Sequence, residues 1–357
     1  MNLTIDVATL AAEAAWLARL KPGPGFNAVT SAVQVSTLVG GLQLRRTDFD
    51  QHRETVIPAA GGGQATVLVE ANKLASLLKG AVGNAVIDID DSGLSIGEAR
   101  RTVRLKALGG ELPAWPSFTP SPEGAVVGAK QLARVLTSIG TDDTLPMLTV
   151  VAFDGGSMVT TDRFRMTRVH YAAAGFTTLV PGAVAHAFAS GNEVVTVEPG
   201  TGSADEALVR LSCGGRSVIV GVPDVSFPNW RHLIPADPPI SVMVRRDDLR
   251  AAAGGVNVVI TVSDTAIVVC STDADGDVEV EQVVPMLGPI MVGDDAVLPF
   301  TVKLRTKYLA ECLRSITCGA VRFQATAADK PVMVTDVGGA ELHLIMPLRT
   351  PAATPSG

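Results

Sequence analysis

The chain has 357 residues, 47% of them apolar and 18% charged, with 29 basic against 36 acidic side chains and a net charge of −7. That supply of apolar residues excludes disorder as the main state, and the length predicts two or three domains. Aromatics at 4% exclude a stacking platform for single strands, and the acidic balance excludes a wholesale basic nucleic-acid binder while leaving room for a basic patch.

In chain order, the windows 6–21, 70–81, 128–140, 181–191, 243–253 and 305–316 read as helices, each entered from a short strand. Between the two helices of each pair runs an alternating segment: LVGGLQLRRTD, GSMVTTD and TAIVVCSTD. These end on Thr47-Asp48, Thr161-Asp162 and Thr272-Asp273, spaced 114 and 111 residues apart. Alternation with period two means one buried face, the habit of antiparallel sheets. The order strand, helix, several strands, helix, several strands therefore occurs three times. This predicts an α+β fold of three repeated domains, each with two helices packed on antiparallel sheet. Proline-rich joints at 112–124 and 231–240 give domains at 1–120, 121–240 and 241–349, with a flexible tail at 350–357.

Charge is spread unevenly. The six helix windows carry +6, which leaves −13 on the strands and loops. Helices facing a polyanion, with sheets facing solvent, would be charged in this way.

Cys213, Cys270, Cys312 and Cys318 lack CxxC spacing and read as buried small hydrophobes of a reducing compartment. The N-terminus lacks the basic start of a leader, and the longest uncharged run, Val169–Asn192, is broken by Pro181-Gly182. A soluble, cytoplasmic chain with no membrane association is expected. The segment DADGDVEVEQVV is no calcium loop, because Val278 and Val284 stand where Gly and Glu are needed. His52, His170, His186, His232 and His343 are scattered singly and read as structural, and Gly61–Gly63 is not followed by Lys-Ser/Thr. The expectation is a non-enzymatic chain with no catalytic residue, metal or cofactor.

Five stretches occur in a telling order: TDFD at 47–50, TDRFRMTRV at 161–169, FPNWRHLIP at 227–235, RTKYLAECLRSITCGAVRF at 305–323 and LHLIMPLR at 342–349. In these the chain resembles, over its whole length, the bacterial DNA polymerase III beta subunit, the sliding clamp family. The resemblance implies a head-to-tail homodimer closed into a ring, with helices lining the hole and sheet outside. Double-stranded DNA would thread the ring without sequence preference, on phosphate contacts from scattered Lys and Arg. The residues expected in that role are Lys21, Lys73, Lys79, Lys130, Arg134, Arg246, Arg250, Lys307 and Arg314.

The resemblance also implies a hydrophobic cleft for short peptides of DNA polymerase, the clamp loader and repair proteins. Carried over by position, it comprises Leu148, Thr161, Arg163, Phe164, Arg165 and Met166. Pro228, His232 and Leu233 join from the linker, and Leu344, Ile345, Met346, Pro347, Leu348 and Arg349 from the C-terminus. Charge suggests the dimer contact: basic Arg100, Arg101, Arg104 and Lys106 would meet acidic Asp273, Asp275, Asp277 and Glu279.

The chain departs from the family pattern in places. Arg163-Phe164-Arg165-Met166 stands where the family has Gly-His-Arg-Leu, a tail follows Arg349, FNAVTSAVQV replaces the usual domain-one start, and domain three is shortened. These departures point to a diverged clamp, phage-borne, mobile-element or specialised, with altered partner or inhibitor preference. The alternative is a clamp-like interaction or resistance protein that binds clamp partners or inhibitors without encircling DNA.

Overall fold

The computed structural model describes residues 3–21, 28–61, 63–172, 175–191, 193–294 and 296–348. The chain divides into two compact units, Met1–Val127 with Glu193–Val222, and Gly128–Asn192 with Pro223–Gly357.

The first unit holds a four-stranded antiparallel sheet in the order Leu3–Asp6, Asn84–Asp90, Gly93–Glu98, Arg101–Lys106. Its nine-stranded sheet runs Ala125–Gly128, Val194–Thr201, Ala207–Cys213, Arg216–Gly221, Gln51–Pro58, Gly41–Thr47, Ala32–Leu38, Thr66–Glu70, with Thr119–Pro120 beside Val194–Thr201. Helix α1 (Val7–Ala18) starts where Asp6 accepts the Thr9 hydroxyl at 2.6 Å and the Thr9 N–H at 2.8 Å, and the hydroxyl's bond, followed by the N–H's, holds the Asp6 carboxyl below its usual range. Leu10 and Leu17 of α1 are fully buried, as are Leu74 and Leu78 of α3 (Ala71–Leu78), on which α1 packs; a single turn, α2, spans Ala28–Ser31. Each such leucine contributes about 1.5–3 kcal/mol by leaving water. Arg46, wholly buried, donates to the carbonyls of Leu17 at 2.9 Å and Thr30 at 3.2 Å, so a cation completes the C-terminal end of α1.

The second unit has a nine-stranded sheet in the order Thr177–Pro181, Val150–Asp154, Ser157–Thr161, Arg165–His170, Glu341–Ile345, Val332–Asp336, Ala320–Ala325, Ile240–Arg245, Met291–Val292. Its four-stranded sheet runs Val278–Val284, Ile267–Thr272, Asn257–Val262, Phe300–Arg305. Helix α4 (Ala129–Val135) packs on α5 (Gly182–Phe188), and α6 (Arg246–Ala252) on α7 (Thr306–Ser315). Val258, Ile260 and Val262 alternate inward to meet Val302, Leu304 and, from α7, Leu309 and Leu313.

Every predicted helix window contains a helix, and the paired strands run antiparallel, as alternation requires. The sequence did not announce that both nine-stranded sheets run on from one expected repeat into the next. Strands from 32–70 join strands from 119–221, and strands from 150–181 join strands from 240–345. Alternation reports which face is buried and is silent about which edges pair.

The recurrent Thr-Asp pair also acquires a physical reason. In each repeat the threonine ends a strand and the aspartate closes the following turn, accepting backbone N–H groups. Of the cysteines only Cys312 is fully buried, correcting the expectation for the other three, which are half-buried. Among the described residues no helix is long and apolar enough to cross a membrane.

Candidate functional site

The second Thr-Asp turn carries the densest set of predicted residues. Strand Ser157–Thr161 buries all five of its side chains, so the chain emerges from the core at a fixed point. The Thr161 hydroxyl accepts the Arg163 N–H at 3.2 Å and donates to the Arg165 carbonyl at 2.8 Å. Asp162 Oδ1 accepts the N–H groups of Phe164 at 3.0 Å and Arg165 at 2.9 Å. This clamp holds Arg163 at φ 76°, a left-handed conformation costly for a side chain with a Cβ.

So held, the turn presents its side chains outward. The Phe164 ring stacks on Tyr308 of α7 at 6.4 Å between centroids, and the Arg165 guanidinium lies 4.7 Å over the same tyrosine. Arg165 is also bonded to Asp162 and to Glu311 of α7. Burial alone would lower its pKa, and these two carboxylates outweigh it. The C-terminal strand lies alongside, with Arg165 opposite Ile345 and Met166 opposite Leu344. Beyond it Met346 donates its N–H to the Phe164 carbonyl at 2.8 Å, and Leu348 to the Lys303 carbonyl at 2.8 Å.

The linker is seated by Trp230, which packs with Val159, Met166, Met333, Leu342 and Leu344. Its indole N–H reaches Asp154 at 3.0 Å, and Arg231 covers its ring while bonding the same carboxylate. The Arg231 hydrogen bond leads the causes holding Asp154 below its ordinary pKa.

Several residues expected at a cleft are buried in the free chain. Thr161, Met166, Leu344 and Ile345 are buried within paired strands, and Leu148 is buried at the end of the single turn Pro146–Leu148. The exposed apolar set is Phe164 (51%), Leu233 (47%) and Met346 (39%), with Pro228, Pro347 and Leu348 half-buried and Arg163 and His232 exposed. Arg349 lies outside the described residues, as does the 350–357 tail. Tyr308 and Glu311 were missed. One of only two tyrosines in the chain, set on a basic helix window, was the available signal.

Lys130, Arg134 and Arg314 come together around an open pocket of about 450 Å³ between α4 and α7, with Thr137, Glu311 and Ser315. Beside it lies a buried polar chain. Ser138 meets Thr167 at 2.6 Å, Thr167 meets His343 Nδ1 at 2.9 Å, and His343 Nε2 meets both Glu341 at 2.9 Å and Ser315 at 3.1 Å. Burial opposes the Glu341 charge, but His343, Ser315 and Arg134 hold its pKa below the usual value. Serine and carboxylate meet the same ring nitrogen, so the imidazole is not placed to relay a proton between them as in a nucleophilic triad.

Of the remaining basic residues, Lys21, Lys73, Lys79, Arg250 and Lys307 are exposed. Arg246 is half-buried and held by Asp247 at 3.0 Å and the Ile316 carbonyl at 2.8 Å. In the first unit Arg101–Lys106 is a sheet edge, with Arg101, Arg104 and Lys106 exposed, as is Arg100 just before it. In the second unit Val278–Val284 is also an edge, and all but its last residue are exposed, Glu279 included. Asp275 and Asp277 are exposed on its turn, whereas the Asp273 carboxylate is spent on the Gly276 and Asp277 N–H groups at 2.8 and 2.9 Å.

No protein-family model matches the chain. It is 25% identical to the beta sliding clamp of Streptomyces coelicolor over 98% of this chain and 99% of that one, and 27% identical to that of Micrococcus luteus over 68% and 83%. Among solved structures, the DNA polymerase III beta subunit of Pseudomonas aeruginosa superposes with a TM-score of 0.78 at 17% identity. The sliding clamp of Bartonella birtlesii, bound to griselimycin, does so with 0.78 at 18%. Both cover 98% of this chain and 100% of theirs, so the fold is shared from end to end.

Proposed function

We infer that this chain is a diverged beta sliding clamp, a processivity factor that encircles duplex DNA and tethers a DNA polymerase. The observation that carries this is the agreement of sequence and fold over nearly the whole of both chains. A family member with one lost domain would leave part of the length unmatched. The three-domain division at 1–120, 121–240 and 241–349 is kept as the natural reading of the repeats, with six such domains closing a dimer.

A tether has to hold without gripping, and the exposed cations suit that task. Lys73, Lys79, Lys130, Arg250, Lys307 and Arg314 are single, solvated charges on or at the ends of short helices. Such charges attract phosphates of any sequence through weak, salt-screened contacts, which permits sliding. Arg134 would act from within its pocket.

The dimer reading rests on two sheet edges of opposite charge. Val278–Val284 is a seven-residue edge with exposed Val278, Val280 and Val283, a liability in a lone chain unless another strand covers it. Arg101–Lys106 of a second copy would supply that strand and opposite charge. Arg101→Glu with Arg104→Glu is expected to give a monomer by sedimentation; an unchanged dimer mass removes the interface.

Partners would dock on the Phe164, Tyr308, Leu233 and Met346 surface, where aromatic and thioether side chains suit an apolar peptide. The polymerase, loader and repair proteins are the expected bearers, in the cytoplasm.

The deciding experiment loads the protein onto nicked circular DNA with a clamp loader and then linearises the circle. Retention on the circle and release from the linear form is the expected result. Failure to be retained on circles favours the clamp-like interaction protein.

A further inference from the structure

Arg163 is anomalous on three counts. It sits at φ 76° where glycine would be free of strain, it is exposed, and it makes no ion pair with a carboxylate among the described residues. Its guanidinium lies 5.8 Å from the centre of the Phe164 ring, so the cation is parked on the rim of the apolar surface. Observed strain at an exposed, functionally placed residue is a reason to ask what it does.

The neighbouring charges are already committed. Asp162 and Glu311 are both engaged by Arg165, so the carboxylates nearest the Phe164–Tyr308 stack already share a cation. Asp142 feels the charge of Arg163, yet its carboxylate is turned to the N–H and hydroxyl of Thr144 at 3.0 and 2.6 Å. The guanidinium of Arg163 is therefore the cation at this rim that has no carboxylate paired to it among the described residues.

Building on the reading of this surface as the peptide site, we propose that Arg163 makes it selective for peptides that carry a carboxylate beside their apolar anchor. The anchor covers Phe164, Tyr308 and Met346. The carboxylate meets a guanidinium whose donors face solvent in the free chain, so the contact forms without breaking an internal ion pair. A charge-assisted hydrogen bond of this kind is stronger than a neutral one and weakens with salt.

The test uses synthetic hexapeptides with a leucine–phenylalanine anchor, identical except for Asp or Asn placed on each side of it in turn. Affinities are measured by fluorescence anisotropy on the full chain, on Arg163→Ala and on Phe164→Ala, each confirmed folded by circular dichroism. For one placement, the wild type is expected to favour Asp over Asn about tenfold at low salt, and less at high salt. Arg163→Ala should bring that ratio to about one, chiefly by weakening the Asp peptide. Phe164→Ala should weaken both peptides. If the wild type never discriminates, or Arg163→Ala keeps the preference, the charge proposal is overturned while the surface stands. If neither peptide binds, or Phe164→Ala binds both as the wild type does, the surface reading falls and the proposal with it.

Discussion

In the turns that follow Thr47 and Thr161 the threonine hydroxyl accepts the N–H two residues on, at 2.9 and 3.2 Å. In both, the aspartate carboxylate then takes two further N–H groups, from Asp50 and Gln51 in one and from Phe164 and Arg165 in the other. Even the strained residue matches, Phe49 at φ 77° and Arg163 at 76°. What differs is the company. Phe164 leans on Tyr308, its carbonyl takes the Met346 N–H, and Arg165 reaches Glu311. Phe49 stands 53% exposed with no ring stacked on it among the described residues. One turn is a device for joining strands, and the same device set against α7 and the C-terminal strand becomes a surface.

The largest expected effect separates the two on function. Phe164→Ala should weaken a bound apolar peptide 30- to 100-fold, about 2–3 kcal/mol, as for a central aromatic anchor. Phe49→Ala should leave peptide affinity where it was. Calorimetric titration of both variants decides, and equal losses would deny the second turn its special role.

Next in size is the skeleton itself. Asp162→Ala removes two backbone caps and one direct partner of Arg165, a loss of about 2 kcal/mol, whereas Asp48→Ala removes two caps and a charge acting on Arg46, His52 and Arg53, and should cost about 1 kcal/mol. Urea midpoints of the two variants give the difference directly.

The recurrent Thr-Asp pair was legible in the sequence because spacing exposes a repeat, and the helices were legible because their apolar faces are periodic. Phe164 could be placed near the site through its motif. Tyr308 could not, since its pairing with Phe164 comes from α7 packing beside a strand turn about 140 residues earlier in sequence. Nor did the sequence show that Leu344 and Ile345 are buried. A strand with neighbours on both sides buries these residues, and no local pattern distinguishes an apolar run with two neighbours from one open to a ligand.

A pH experiment sharpens the same contrast, because the second turn's strand is tied to the C-terminal strand through Thr167 and His343. Glu341 is held charged below its ordinary 4.5, so its contribution is whole above that value and is lost as pH falls through the lowered one. Glu341→Gln should therefore reduce stability at pH 7 by about 1.5 kcal/mol, with the gap to wild type closing in acid. A gap independent of pH would mean that shape, and not charge, is what Glu341 supplies.

The smallest effect asks whether the two strained residues are strained for the same reason. Glycine at either position relieves a left-handed cost of roughly 1–2 kcal/mol, while the freer unfolded chain takes back roughly 0.5–1. Phe49→Gly should then gain about 0.5 kcal/mol in thermal unfolding. Arg163→Gly obtains the same backbone relief but loses the guanidinium over Phe164, worth about 0.5–1 kcal/mol at an exposed site, and should come out near zero. Equal gains at both turns would show that Arg163 contributes nothing to the folded chain by itself, leaving a bound peptide as the only reason for the residue.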